Sequence, residues 1–95
     1  MIDLGLLCEA IASRKMISFN YKDAVRVVEP HLVGVNTKGN SCLSAFQISG
    51  GSGQSFRSYL FDEMSGLEVS DEEFSGPRPG YNPDDSTMLK IICRL

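Results

Sequence analysis

Residues Val25–Val35 read "VRVVEPHLVGV". The stretch begins as a β-strand, is interrupted by Glu29, Pro30 and His31, and resumes at Leu32 and Val33. Proline donates no ladder hydrogen bond, so it belongs at an edge, a bulge or a strand start. Alternation sets Val25 and Val27 on one face with Glu29 and His31, so a straight strand would bury polar groups beside valines. A bend at Glu29–Pro30 removes that conflict. It lets the chain turn the corner of a barrel and re-aims the second half. The stretch therefore reads as one strand in two halves.

Upstream, "MISFNY" alternates Ile17, Phe19 and Tyr21 with Ser18 and Asn20, the pattern of a half-buried strand. "KDA" is the short turn that joins it to the bent strand. Before it, Leu4, Leu7, Cys8 and Ile11 fall on one helical face. Asp3 can cap that helix, and Arg14 with Lys15 complements its carboxyl end, which predicts a helix from about Asp3 to Ser13.

Downstream, "NTKGN" is a hairpin turn with Gly39 free to take positive φ. "SCLSAFQI" is a strand, "SGGSGQS" a glycine-rich loop, "FRSYLF" a strand, "DEMS" a turn and "GLEV" a last short strand, after which the acidic "SDEEF" leaves the sheet. The composition then changes. "SGPRPGYNPDD" holds three prolines and two glycines and reads as an extended arm. Met88, Ile91, Ile92 and Leu95 fit the stripe of a short amphipathic helix, a terminal strand being the other reading. The expected fold is mainly β (α+β): an N-terminal helix and a small barrel over residues 1–75, then an arm and short helix over 76–95. Several short strands at regular spacing favour a barrel or sandwich, and closure removes exposed edges.

Ninety-five residues suit one domain. Nine basic residues oppose twelve acidic ones, and four of the acids lie between Glu68 and Glu73. Overall the chain lacks the basic footprint of a nucleic-acid binder, although clustering of the acids leaves room for a local basic patch. Cys8, Cys42 and Cys93 show no Cys-x-x-Cys spacing, so neither a metal knuckle nor a redox motif is expected. Buried, reduced thiols in a cytoplasmic protein are the expectation. No apolar run approaches the roughly 18 residues of a membrane span, and no basic stretch precedes an apolar one as in a signal peptide.

Taken together, "LCEAIASRKMISFNY", "VRVVEPHLVGV", the Leu43-x-Ala45 strand and "RSYLFDEMSGLEVSDEEF" resemble the WYL domain from Leu4 to Phe74. "RPGYNPDD" is loosely similar to the tail of small stand-alone members. The resemblance implies a five-stranded, Sm-like small β-barrel preceded by a helix. It also implies ligand sensing or transcription regulation in bacteria or their phages, in some members through single-stranded nucleic acid. The name-giving Trp-Tyr-Leu triplet stands here as Ser41, Cys42 and Leu43, and two later family arginines stand as Leu60 and Glu63.

Four residues are candidates for ligand binding. Arg26 can hold phosphate through its planar guanidinium. Arg57 and Tyr59 share a strand face, where an aromatic ring beside a cation suits a nucleotide. His31 stands just beyond the bend; alone, it lacks the companions of a metal site or an acid–base pair. Ser44 and Gln47 read as ordinary polar strand positions. "SGGSGQS" lacks the Lys-Ser/Thr ending of a phosphate loop, and no catalytic constellation is visible. The expectation is a non-enzymatic module without cofactor or metal. It would bind a nucleotide or short single-stranded nucleic acid through Arg26, His31, Arg57 and Tyr59 in a common groove. The alternative is a protein–protein interaction or assembly module, a homo-oligomer joined through the arm anchored at Tyr81–Pro83.

Overall fold

The structure is a computed structural model and describes residues 2–50 and 53–95. Of the glycine-rich loop, Gly51 and Ser52 lie outside the described residues. Helix α1 spans Leu4–Ser13, with the Asp3 carboxylate accepting from the Leu6 N–H at 3.1 Å. Arg14 closes it in the left-handed region at φ 54° and returns its N–H to the last-turn carbonyls. Six strands follow: β1 Lys15–Tyr21, β2 Ala24–Asn36, β3 Ser41–Ser49, β4 Ser55–Leu60, β5 Met64–Glu73 and β6 Met88–Arg94. A single 3-10 turn, Phe61–Glu63, separates β4 from β5. Lys22 and Asp23 both take positive φ, the geometry of the tight two-residue turns that match strand twist. Gly39 does the same at φ 81° in the β2–β3 turn, as its place in "NTKGN" predicts.

All ladders are antiparallel, in the order β4-β3-β2-β1-β5, with β6 added on β2. The expected five-stranded closed barrel is therefore corrected to a six-stranded open sheet. Among the described residues no ladder joins β4 to β5.

The 13 residues of β2 organise this sheet. One edge runs along β3 from Val27 to Val35. The other edge changes partner: Ala24–Val28 pair with β1, and Leu32–Asn36 pair with β6. Pro30 sits in the gap between these two ladders, where its missing N–H interrupts neither. The β2–β3 register slips between Pro30 and Leu32, so the bulge falls at His31, one residue beyond the expected bend.

Two further expectations are corrected here. Residues 88–94 form a strand rather than a helix. A helix of about two turns is marginal in water, whereas the second half of β2 offers an unpaired edge to a segment containing Ile91 and Ile92. The acidic run also stays in the sheet, since β5 extends to Glu73, opposite Lys15.

The core gathers Leu7, Ala10 and Ile11 of α1 against Ile17, Phe19, Val28, Val33, Leu43, Ala45 and Tyr59. Cys93 of β6 and Leu95 just beyond it pack on its margin. Cys8 and Cys93 form a disulfide across a sequence separation of 85, which overturns the expectation of three reduced thiols; Cys42 alone is a free, buried cysteine. The spacing of Cys8 and Cys93 gave no signal, because their proximity depends on β6 joining β2. Closing a loop of this length stabilises a fold by roughly 4–5 kcal/mol through lost unfolded-chain entropy.

Gly34 is where β6 presses closest on β2. A Cβ built there meets the Lys90 carbonyl oxygen at 2.5 Å. Gly34→Val is expected to cost about 1–3 kcal/mol, the usual range for overpacking. A urea unfolding midpoint equal to that of the parent would contradict this close approach.

Candidate ligand site and arm clasp

In the β3–β4 ladder, Leu43 faces Tyr59, Ala45 faces Arg57 and Gln47 faces Ser55. Opposed residues share a face, and Leu43, Ala45, Gln47 and Tyr59 are buried, so this is the inner face of the sheet. Arg26 joins the same face from β2, paired with buried Phe19 of β1. One end of the inner face is thus apolar and the other carries Arg26, Gln47, Ser55 and Arg57.

Gln47 is the hub of that polar end. Its Oε1 accepts from Tyr59 Oη at 2.8 Å and from Arg26 Nη1 at 3.2 Å, while its Nε2 donates to the Gly53 carbonyl at 3.0 Å. Arg26 Nη2 donates to the Tyr21 carbonyl at 3.3 Å, and the guanidinium carbon lies 5.8 Å from the centre of the Tyr21 ring. Arg26 Nε is buried without a hydrogen-bond partner. Burial pushes the Tyr59 phenol above its ordinary pKa, opposed by the nearby positive charges of Arg26 and Arg57. Tyr59 is 1% exposed and meets Phe19 and Tyr21 edge-to-face, so its ring is closed to a ligand base.

Beside this cluster, Asn20, Tyr21, Lys22, Asp23, Glu63 and Ser65 line an open depression of about 470 Å³. Tyr21 Oη donates to Glu63 at 3.3 Å and accepts from the Leu60 N–H at 3.3 Å, which ties β1 to the end of β4. Among the described residues, no group of three or more His, Cys, Asp or Glu side chains is placed to hold a metal.

Arg26, Arg57 and Tyr59 are therefore brought together, and His31 is not with them. His31 is wholly buried on the outer side of the sheet, where the arm crosses. Its Nδ1 lies 2.7 Å from the Glu29 carbonyl, and its Nε2 accepts the Arg78 N–H at 3.1 Å. This pattern requires the neutral ring with the proton on Nδ1. Phe74 stacks on the ring, and Phe56 and Tyr81 meet it edge-on. The Arg78 guanidinium holds Glu29 with two bonds, 2.7 and 3.0 Å, and lies 4.5 Å from the centre of the Phe46 ring. Glu29 and His31 thus clasp one arm residue by its side chain and its backbone. Tyr81 Oη adds long bonds to the carbonyls of His31 and Leu95.

Gln47, expected as an ordinary polar strand position, is the centre of the inner cluster, and Arg78, which carries no motif, is the residue that the clasp holds. Period-2 alternation could have flagged Gln47, which follows buried Leu43 and Ala45 on one face.

The clasp has a pH sign. Burial lowers the His31 pKa from its ordinary value of 6.5, against the raising effect of the Glu29 carbonyl and carboxylate. Below that value the unfolded chain takes up a proton that the folded chain resists, so stability falls as pH drops. Stability is expected to be flat from pH 8 to about 6.5 and to decline below it by at most about 1.4 kcal/mol per pH unit. His31→Gln should flatten the profile between pH 5 and 6.5. An unchanged slope in urea unfolding of that variant would exclude His31 as its source.

No protein-family model, curated protein or solved structure matches this chain, so the reading of the site rests on the chain's own residues.

Proposed function

We propose that this chain is a non-enzymatic binding module for an anionic ligand, a nucleotide or short single-stranded nucleic acid, held through phosphate. The observation that carries this reading is the convergence of Arg26 and Arg57 beside Tyr59 at the polar end of the inner face. Guanidinium groups suit phosphate because they donate in a fixed planar fork. The buried, unpartnered Arg26 Nε is a donor that a phosphate oxygen would satisfy. Gln47 and Tyr59 hold the Arg26 guanidinium in place before a ligand arrives, which lowers the ordering cost of binding. With Tyr59 buried and Ser41 and Cys42 in place of the aromatic pair, the recognition falls on phosphate rather than on a stacked base.

The same reading takes the fold as a WYL-like, Sm-type sheet and the role as sensing or regulation in the cytoplasm of a bacterium or of a cell infected by a phage. What supports it is the leading helix, the strand order β4-β3-β2-β1-β5 and the single turn between β4 and β5. The test is a titration of labelled single-stranded DNA and RNA, and of nucleoside triphosphates, at rising salt. Arg26→Ala and Arg57→Ala should each weaken binding and reduce the salt slope by about one contact. Absence of binding below millimolar at low salt would end this proposal.

A second reading, assembly through the C-terminal segment, is favoured by Leu89 and Ile92, which are 70% and 38% exposed on β6. In this form Leu89→Glu should shift the sedimentation coefficient towards the monomer. A parent chain that sediments as a monomer at high micromolar concentration would remove it.

A further inference from the structure

The attachments of the segment beyond Phe74 include Arg78 on Glu29 and His31, the β6 ladder on β2, and the Cys8–Cys93 bond to α1. The ladder is irregular. It pairs five positions and its register slips twice, between Val33 and Gly34 and between Val35 and Asn36. Among the described residues β6 has no strand on its other edge, and its Leu89 faces solvent. It depends on the close approach at Gly34, where any side chain would collide with Lys90. What it buries is slight: Ile91, Cys93 and Leu95 are only partly covered. Covalent attachment to α1 thus supplements a strand that its own contacts hold weakly.

We propose that the Cys8–Cys93 disulfide is a redox clasp for β6. Its reduction by a dithiol frees β6 from β2 and leaves the ladders of β1 to β5 in place. Both cysteines are part-exposed, so a small reductant can reach the bond. One thiolate of the dithiol attacks a cysteine sulfur, breaks the Sγ–Sγ bond and forms a mixed disulfide. The second thiol of the reductant then displaces that cysteine. In sum, the protein gains two electrons and two protons as Cys8 and Cys93 thiols, and the dithiol becomes a disulfide. Release bares the edge of β2 from Leu32 to Asn36, and a bare edge is a pairing site for an extended strand. The inference is independent of the ligand reading, because Arg26 and Arg57 lie on β2 and β4, away from this ladder.

Hydrogen exchange of the full chain, oxidised and then treated with dithiothreitol, tests the clasp. Reduction is expected to speed exchange of amides 89–94 at least tenfold, with amides in the β1–β2 hairpin unchanged. Unchanged protection of 89–94 in reduced protein would overturn the proposal, as would a uniform loss across all strands. Cys8→Ser/Cys93→Ser without reductant should reproduce the reduced pattern. Alkylation of the unfolded, non-reduced chain should modify Cys42 alone; three adducts under air-saturated conditions would also overturn it.

Discussion

The partner change along one edge of β2 is the constraint on which the rest of the molecule depends. A 13-residue strand is longer than β1 can cover, and its edge beyond Val28 would stand bare. Backbone N–H and C=O groups left unpaired in a folded interior are costly, so that edge favours a second strand. The last residues of the chain supply it as β6. This brings Cys93 to Cys8 and ends the chain at the carbonyl of His31, which the Leu95 N–H reaches at 2.8 Å. The arm must cross the outer side of the sheet to make this return, and there it meets Glu29 and His31.

The two faces of the sheet divide the polar residues between different tasks. Inside, Arg26 and Arg57 sit with Gln47 and Tyr59 at the polar end of an otherwise apolar face. Outside, a carboxylate, a neutral imidazole and three aromatic rings are consumed in holding the arm. The bulge at His31 helps separate them, because the extra residue shifts the inward phase from Val28 and Pro30 to Val33. Without that shift, residues on either side of Pro30 would compete for one surface.

Much of the fold was legible in local pattern. The α1 stripe and its Asp3 cap, the alternation of β1, β3 and β4 and the turns at Lys22–Asp23 and Gly39 are short-range features, and each appears where its pattern predicts. Residues 88–94 were not legible, because their apolar positions fit two periods and the choice rests on a distant edge of β2. The disulfide was hidden for the same reason. In the candidate site, Arg57 and Tyr59 pair from a shared strand face and Arg26 joins them only through the resemblance, whereas the role of Gln47 depends on cross-strand register. The separation of His31 from the arginines is not legible in the sequence, because the position of the bulge and the arm that buries the ring are tertiary facts.

The bond between Cys8 and Cys93 also alters the topology of the chain as an object. It joins Cys8 of α1 to Cys93 of β6 across a separation of 85 residues and closes the segment between them into a covalent ring. A protease that cut once at exposed Gln54 would therefore open the ring without dividing the molecule, and both pieces would remain attached through the two sulfurs.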